Sequence, residues 1–195
     1  MKHIAVDLDE VLWCLMSEFT RIYNCVFNKK RTIEDWDDWD CCEKWGITNS
    51  QKSGLFGAIN LMNVPVIDRH APKYLKKLQE YGIVDLLTAR REESRGGLIE
   101  KLESIGIFEG EHYRKLVIVK FYPFNVKANY HYDVYIDDNP RLANSIVKEN
   151  DKGDKEMKIL LWDQPWNWKV ESNQYVTRVT GWKHVLEWFK KYPNL

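Results

Sequence analysis

The sequence predicts an α/β protein with a doubly wound, mostly parallel β-sheet and a small helical insertion, and three observations support this class. From about residue 70 onward, short apolar runs alternate with segments of helical apolar spacing, which is typical of βαβ units. Several apolar runs end in acidic or hydroxyl side chains, as strands do where an α/β sheet binds a ligand. The chain has 195 residues, which fits one domain with a modest insertion.

Six strands are expected from the apolar runs. The first spans residues 3–6, and the others lie in the segments IVDLLTAR, KLVIVKF, DVYIDDNP, MKILLWD and YVTRV. Apolar spacing predicts a helix over residues 12–24 and four later helices, in APKYLKKLQEYG, EESRGGLIEKLESIG, PRLANSIVKEN and GWKHVLEWFKKY.

A polar segment rich in tryptophan, residues 28–53, separates the first strand from the regular alternation that follows. A single crossover helix needs far fewer residues than this interval contains, so the surplus predicts a small helical cap inserted after the first strand. The expected division is an α/β core of residues 1–15 and 70–195 and a cap of residues 16–69.

The composition excludes several classes of protein. Acidic and basic residues balance at 29 each, so no net field attracts long nucleic acid. No stretch is long and apolar enough for a transmembrane helix, and the N-terminal apolar run is too short for a signal peptide. The four cysteines match no zinc-ligand spacing and are expected to be free thiols. We therefore expect a cytoplasmic protein without a membrane partner.

Polar side chains stand at the carboxyl ends of three predicted strands. Asp7 and Asp9 follow the first strand, Thr88 comes near the end of the second, and Asp137 and Asp138 end a later one. Ligands of open α/β sheets bind beyond the carboxyl ends of the strands, so we expect these side chains to converge at one edge.

Lys127 lies ten residues before Asp137 and is expected at the same edge. Crowded carboxylates repel one another unless a cation joins them, and an oxygen-only ligand set favours Mg²⁺. With Mg²⁺, an ammonium group and a hydroxyl, the site suits a phosphoryl group. Taken singly, each element has an ordinary explanation as a cap, a turn or a surface lysine; their joint order favours phosphoryl transfer.

At these residues the chain resembles the haloacid dehalogenase-like phosphatase superfamily. VDLDEVL, LLTAR, Lys127 and YIDDNP are similar to its four motifs, in the same order, and the resemblance covers about residues 3–20 and 65–190. Within the superfamily, KANYHYDVYIDD, LWDQPWN and the place of the cap are similar to the 5'(3')-deoxyribonucleotidase family. The resemblance implies a Rossmann-like sheet and Mg²⁺ as cofactor.

The resemblance also implies roles for the strand-end acids. Asp7 would be the nucleophile that forms an aspartyl-phosphate, and Asp9 would be the general acid and then the general base. Asp7, the backbone carbonyl of Asp9 and Asp138 would be the protein ligands of Mg²⁺. Thr88 and Lys127 would hold the phosphoryl group. Asp137 would brace Lys127 or metal-bound water, because adjacent residues on a strand point to opposite sides.

The chain departs from the family pattern at two positions. Glu10 stands where family members often carry Gly, and Leu15 stands where an aromatic residue is usual. We therefore expect substrate recognition to differ near Glu10, with a different surface for stacking a nucleobase. The candidates for that surface are Trp36, Trp39 and Phe19, and the alternative is that they only pack the cap. Packing in the sheet and helices is the expectation for five other tryptophans, Trp162, Trp166, Trp168, Trp182 and Trp188.

Three functions follow from this sequence. The first is a Mg²⁺-dependent phosphatase of nucleoside monophosphates, with a small phosphomonoester as its partner. The second keeps the chemistry and acts on another small phosphorylated metabolite or on a nucleic-acid 3'-phosphate end. The third is a non-catalytic binding protein on the same fold. The base, the sugar, the position of the phosphate and the choice between monomer and homodimer stay open.

Overall fold

The computed structural model of this protein describes residues 1–120, 126–153 and 156–193. Its sheet has six strands, all paired in parallel, in the order β3-β2-β1-β4-β5-β6. The strands are β1 (Lys2–Val6), β2 (Gly82–Ala89), β3 (Leu116–Val119), β4 (Val134–Asp137), β5 (Lys158–Trp162) and β6 (Val176–Val179). The α/β class and the parallel sheet are confirmed. Phe121, in the expected strand KLVIVKF, lies outside the described residues.

The helices are α1 (Leu15–Phe27), α2 (Cys41–Lys44), α3 (Asn49–Gly57), α4 (Ala71–Leu78), α5 (Arg95–Ser104), α6 (Pro140–Asn150) and α7 (Trp182–Lys191). The first helix begins three residues later than the apolar spacing predicts. The reason is that the backbone forms a tight loop before it, in which the Leu12 amide donates to the Leu8 carbonyl at 2.8 Å.

Two hydrophobic clusters cover the two faces of the sheet. Ile4 and Val6 of β1 belong to a large cluster with side chains of α4, α5 and α7, while Ala5 faces a smaller cluster with α6. This alternation is what a strand buried on both faces requires, and it makes the sheet doubly wound.

The strand order fixes where a ligand can bind. The chain leaves β1 for β2 on one side and returns to β4 on the other, so the order reverses between β1 and β4. Parallel sheets open a crevice at the carboxyl ends of two such strands. The acids that follow β1 and end β4 therefore meet at this crevice.

A third hydrophobic cluster, here called the cap cluster, lies outside the sheet. Its buried members are Phe19, Ile22, Tyr23, Trp36, Cys41, Cys42, Ile47, Leu55 and Trp166. All of these except Trp166 come from the expected cap, residues 16–69. The exact boundaries of core and cap stay a prediction. Within the described ranges, no helix combines the length and apolar character needed to cross a membrane.

Candidate active site

The loop after β1 places Asp7 at the crevice. The Asp7 amide donates to the Ile136 carbonyl of β4 at 2.9 Å, which ties the end of β1 to its neighbour. The Asp7 carboxylate in turn accepts from the Leu8 amide, with 2.8 Å between Oδ1 and N. These contacts fix both the backbone and the side chain of Asp7.

Three buried carboxylates meet here, those of Asp7, Asp137 and Asp138. One oxygen from each lies within 4.8 Å of the others. Lys127 is buried beside them, and its Nζ lies 2.7 Å from Asp7 Oδ2 and 2.6 Å from Asp137 Oδ2. One ammonium group therefore faces three carboxylates, and a divalent cation would balance the remaining charge.

The pKa values reflect this crowding. Burial raises the pKa of Asp7 to about 8, the charge of Asp137 adds to this, and Lys127 opposes it. Burial, with the charge of Asp137 second, also raises the pKa of Asp138 well above its ordinary value. Burial acts to lower the pKa of Lys127, but the charges of Asp137 and Asp7 outweigh it and raise that pKa. The raised pKa values of Asp7 and Asp138 mean that their ionised forms are costly here, and a divalent cation would offset that cost.

Thr88 supplies a buried hydroxyl at the same edge. β2 pairs with β1, and Thr88 comes two residues after Leu86, the partner of Val6. The Thr88 Oγ1 atom is buried and has no hydrogen-bond partner among the described residues. An unpaired buried hydroxyl costs roughly 1–3 kcal/mol, so this atom is suited to a ligand's oxygen. The carboxylates and this hydroxyl together fit Mg²⁺ and a phosphoryl group.

Replacing Thr88 with valine should separate stability from ligand binding. Thr88→Val keeps the shape and removes an unsatisfied hydroxyl, so the free energy of unfolding should stay unchanged or rise. If Thr88 Oγ1 binds a phosphoryl oxygen, inhibition by inorganic phosphate and turnover of a phosphomonoester should both weaken, because that hydrogen bond is lost. Denaturant unfolding and phosphate inhibition measure the two effects. A variant that unfolds more easily and binds phosphate normally would contradict this role.

Asp9 lies apart from the three-carboxylate group, because two side chains hold its carboxylate. Trp13 Nε1 donates to Oδ1 at 2.7 Å. Arg90 forms a two-point ion pair with the same carboxylate, at 2.6 Å from Nη2 and 2.9 Å from Nε. Sequence reasoning missed both partners. The position of Arg90, at the end of LLTAR, was an available signal, since it follows the predicted Thr88 in the same motif.

Residues 164–167, the end of LWDQPWN, contact the loop after β1 and the acid that follows β4. Trp166 Nε1 donates to Asp138 Oδ2 at 2.9 Å, and Asn167 Nδ2 donates to the Asp138 carbonyl at 2.8 Å. Gln164 Nε2 donates to the Glu10 carbonyl at 3.2 Å. The expectation that Trp166 only packs is incomplete, because its indole also orients a carboxylate of the cluster.

Glu10, near which substrate recognition is expected to differ, has a structural role in the fold. Glu10 is buried, and its Oε1 accepts from the Met16 amide at 2.6 Å, in the first turn of α1. Burial raises its pKa to about 8. Its φ of 60° lies in the left-handed region, where glycine is favoured. Glu10 therefore stabilises the start of a helix in a conformation that costs energy for this residue type.

Two candidates for base stacking are buried inside the cap. Phe19 is 0% exposed and Trp36 is 4% exposed, and their rings meet edge to face at 5.3 Å. Trp36 Nε1 donates to Thr20 Oγ1 at 2.8 Å, so its polar atom is also used. Trp39 is half-buried against the same cluster. In this conformation Phe19 and Trp36 pack the cap and offer no face to a base.

Trp168 differs from the expectation of packing. Its side chain is 63% exposed, and its Nε1 donates to the Asp37 carbonyl of the cap at 3.3 Å. It follows Trp166 and Asn167, the two residues that contact Asp138, and it lies where cap and core meet. An exposed indole at such a rim is suited to contact with a ligand.

Comparison with known proteins identifies the fold. No family model and no curated protein matches the chain. Protein Tyrosine Kinase A of Mycobacterium tuberculosis is similar, with 13% identity over 100% of this chain and 98% of that chain and a TM-score of 0.63. A predicted phosphoglycolate phosphatase from Haemophilus somnus 129PT has 13% identity over 96% of this chain and 97% of that chain, with a TM-score of 0.59.

A haloacid dehalogenase-like family hydrolase from Xanthomonas campestris gives a TM-score of 0.54, with 13% identity over 99% of this chain and 97% of that chain. At such low identity the likeness concerns the fold, which hosts several activities. The chain therefore has the α/β fold of the haloacid dehalogenase-like hydrolases, in agreement with its four motifs.

Proposed function

We propose that this protein is a Mg²⁺-dependent phosphatase that releases inorganic phosphate from nucleoside monophosphates. The observation that carries the proposal is the meeting of three buried carboxylates with the Lys127 ammonium and the unpartnered Thr88 hydroxyl. A structural neighbour named as a phosphatase supports the same chemistry. The nucleotide preference rests on the resemblance of KANYHYDVYIDD and LWDQPWN to the 5'(3')-deoxyribonucleotidases.

Asp7 is the nucleophile in this proposal. Its carboxylate oxygen attacks phosphorus, and the bond between phosphorus and the ester oxygen breaks as the aspartyl-phosphate forms. Asp9 gives its proton to the leaving oxygen, then takes a proton from the water that attacks the aspartyl-phosphate. Inorganic phosphate leaves, Asp7 is again a carboxylate and Asp9 again carries its proton. In the structure both oxygens of Asp9 accept from Trp13 or Arg90, so the Arg90 contacts have to open before Asp9 donates a proton.

The surrounding groups compensate the charge of the phosphoryl oxygens. Lys127 and Thr88 bind these oxygens, and Asp137 keeps the ammonium in place, at 2.6 Å from its Oδ2. Asp7, Asp138 and the Asp9 carbonyl would hold Mg²⁺, which neutralises negative charge on the phosphoryl group. Because the ammonium group is buried, its orientation is set before substrate arrives.

The aromatic contact to the base is proposed at the rim between cap and core. Trp168 is exposed there. Trp39, which belongs to the cap segment, is half-buried against the cap cluster. Since Phe19 and Trp36 are enclosed in the cap cluster, Trp168 is the stronger candidate for stacking. A substrate without a base would leave this contact unused.

A panel of phosphomonoesters tests the proposal. It contains nucleoside 5'- and 3'-monophosphates, sugar phosphates, phosphoglycolate and an oligonucleotide with a 3'-phosphate, each assayed with Mg²⁺ and with EDTA. We expect Mg²⁺-dependent phosphate release, highest with nucleotides. Highest rates with phosphoglycolate or a sugar phosphate would favour the second function. No release from any substrate would favour a non-catalytic binding protein.

Mg²⁺ affinity should rise with pH. Burial raises the pKa of Asp7 to about 8 and also raises the pKa of Asp138, and a carboxylate binds the metal in its ionised form, which higher pH favours. The affinity, measured calorimetrically, should increase from pH 6 and level off above about pH 8. Calorimetry in buffers of different ionisation heat should detect the released protons. A constant affinity and no proton release would contradict this result.

The same shifts predict the pH dependence of stability. The folded chain retains protons that the unfolded chain loses near pH 4, so stability is full below that pH and falls as pH rises toward about 8. Saturating Mg²⁺ should therefore raise the melting temperature more at pH 8 than at pH 6. An equal increase at both pH values would show that these carboxylates do not bind the metal.

A further inference from the structure

One buried side chain of the core, Trp166, reaches into the cap cluster. Every other buried member of that cluster comes from residues 16–69, within the part of the chain that the structure describes. Trp166 lies on the short 3-10 turn Pro165–Asn167, which follows β5. The cap therefore packs around an indole that the core provides.

The same indole is bonded to the acidic cluster. Trp166 Nε1 donates to Asp138 Oδ2 at 2.9 Å, and both side chains are buried. The neighbouring Asn167 holds the backbone of Asp138 and that of Trp162, with Nδ2 at 2.8 Å from each carbonyl oxygen. Moving the indole while Asn167 stays in place would leave the Asp138 carboxylate without its donor.

Other contacts between core and cap either lie nearer the surface or, like the buried hydrogen bond from Lys101 Nζ to the Val64 carbonyl at 2.8 Å, involve no carboxylate of the acidic cluster. Lys169 Nζ lies 3.4 Å from Asp38 Oδ2, and Trp168 donates to the Asp37 carbonyl. Exposed ion pairs of this kind contribute little to stability. Among the residues that the structure describes, the Trp166–Asp138 hydrogen bond joins a buried member of the cap cluster directly to a carboxylate of the acidic cluster.

We propose that Trp166 is a positioning residue that couples the packing of the cap to the orientation of the Asp138 carboxylate, and through it to metal affinity. The coupling rests on the proposed function in one respect, namely that Asp138 binds the metal. Coupling between two sites is reciprocal, so metal binding should stabilise the cap to the same extent as cap packing strengthens metal binding.

The first test measures Mg²⁺ binding by calorimetry with the metal alone. Trp166→Phe keeps an aromatic ring in the cap cluster and removes the N–H donor. Its Kd for Mg²⁺ should rise by roughly 10- to 100-fold, as when other partners of metal ligands are removed. Trp45→Phe is the control, because it makes the same change against the same cluster and leaves the Trp166–Asp138 bond in place. Its Kd should not change.

The second test compares amide hydrogen exchange in the wild-type chain and in Trp166→Phe. Mg²⁺ should slow amide hydrogen exchange in the cap, over residues 33–57, and Trp166→Phe should abolish this protection. Equal Mg²⁺ affinity in Trp166→Phe and wild type would overturn the coupling, as would equal weakening in the Trp45→Phe control. Unchanged cap exchange in wild type on Mg²⁺ addition would also overturn it.

These results separate the coupling from the proposed function. If Trp166→Phe weakens Mg²⁺ binding and Mg²⁺ protects the cap, while the wild type hydrolyses no phosphomonoester, the coupling stands and the phosphatase proposal fails. If the wild type hydrolyses nucleotides and Trp166→Phe binds Mg²⁺ normally, the phosphatase proposal stands and the coupling fails. A wild-type chain that binds no Mg²⁺ overturns both.

Discussion

Asp7→Asn should abolish phosphate release while leaving the protein folded and at least as stable. An amide does not attack phosphorus under these conditions, so kcat should fall by a factor of at least about 10³. Burial raises the pKa of Asp7 to about 8, which means that its charge is costly in the metal-free fold. Removing the charge should therefore preserve or raise the melting temperature at pH 8.

Steady-state phosphate release and thermal unfolding measure the two effects on Asp7→Asn. Asp163→Asn is the matched control, because Asp163 is a more exposed acid paired with Arg178 at 2.6 Å. It should keep full activity. Substantial activity in Asp7→Asn with Mg²⁺ present would disprove the aspartyl-phosphate mechanism, whatever the control shows.

Lys127→Met should destabilise the protein as well as inactivate it. Lys127 is buried against Asp7 and Asp137, and methionine fills similar volume without charge. Removing one partner of a buried ion pair typically costs about 3–5 kcal/mol, because the remaining charge is uncompensated. The loss should be larger at pH 8 than at pH 6, since protonation of the acids relieves it.

Urea unfolding at the two pH values tests this result for Lys127→Met. The control is Lys152→Met, which removes an exposed ammonium paired with Glu149 at 2.7 Å and should change stability by about 0–1 kcal/mol. Saturating Mg²⁺ should restore part of the stability of Lys127→Met, because the metal brings back positive charge. A variant as stable as the wild type at pH 8 would show that the ammonium does not compensate these acids.

Much of the fold could be predicted because strands and helices leave local patterns. Each of the six apolar runs overlaps a strand of the sheet, and APKYLKKL and PRLANSIVKEN form helices that begin at or beside proline. Helix limits were less exact. The first helix starts at Leu15 because residues 8–13 form a loop, and a 3-10 turn, Glu92–Ser94, precedes α5. Such local turns depend on contacts that apolar spacing does not record.

The candidate site was predicted in part, for a similar reason. Asp7, Asp137 and Asp138 meet because they stand at the ends of the neighbouring parallel strands β1 and β4, and strand ends are visible in the sequence. Lys127 reaches them from the turn Val126–Tyr130 that precedes β4. The pairing of Asp9 with Arg90 was not predicted, although Arg90 follows Thr88 in the same motif. Arg90 is 81 residues away, and the pair exists only because β2 lies beside β1.

The sequence by itself determined the alternation of strands and helices, the residues at the strand ends and the presence of an insertion after the first strand. Those features depend on periodicity and on residue type over short stretches. Only the tertiary structure decided that Phe19 and Trp36 are enclosed in the cap, that Glu10 supports a helix and that Trp166 contacts Asp138 from 28 residues away. An aromatic or acidic side chain suits several environments, and the packing of distant segments selects one of them.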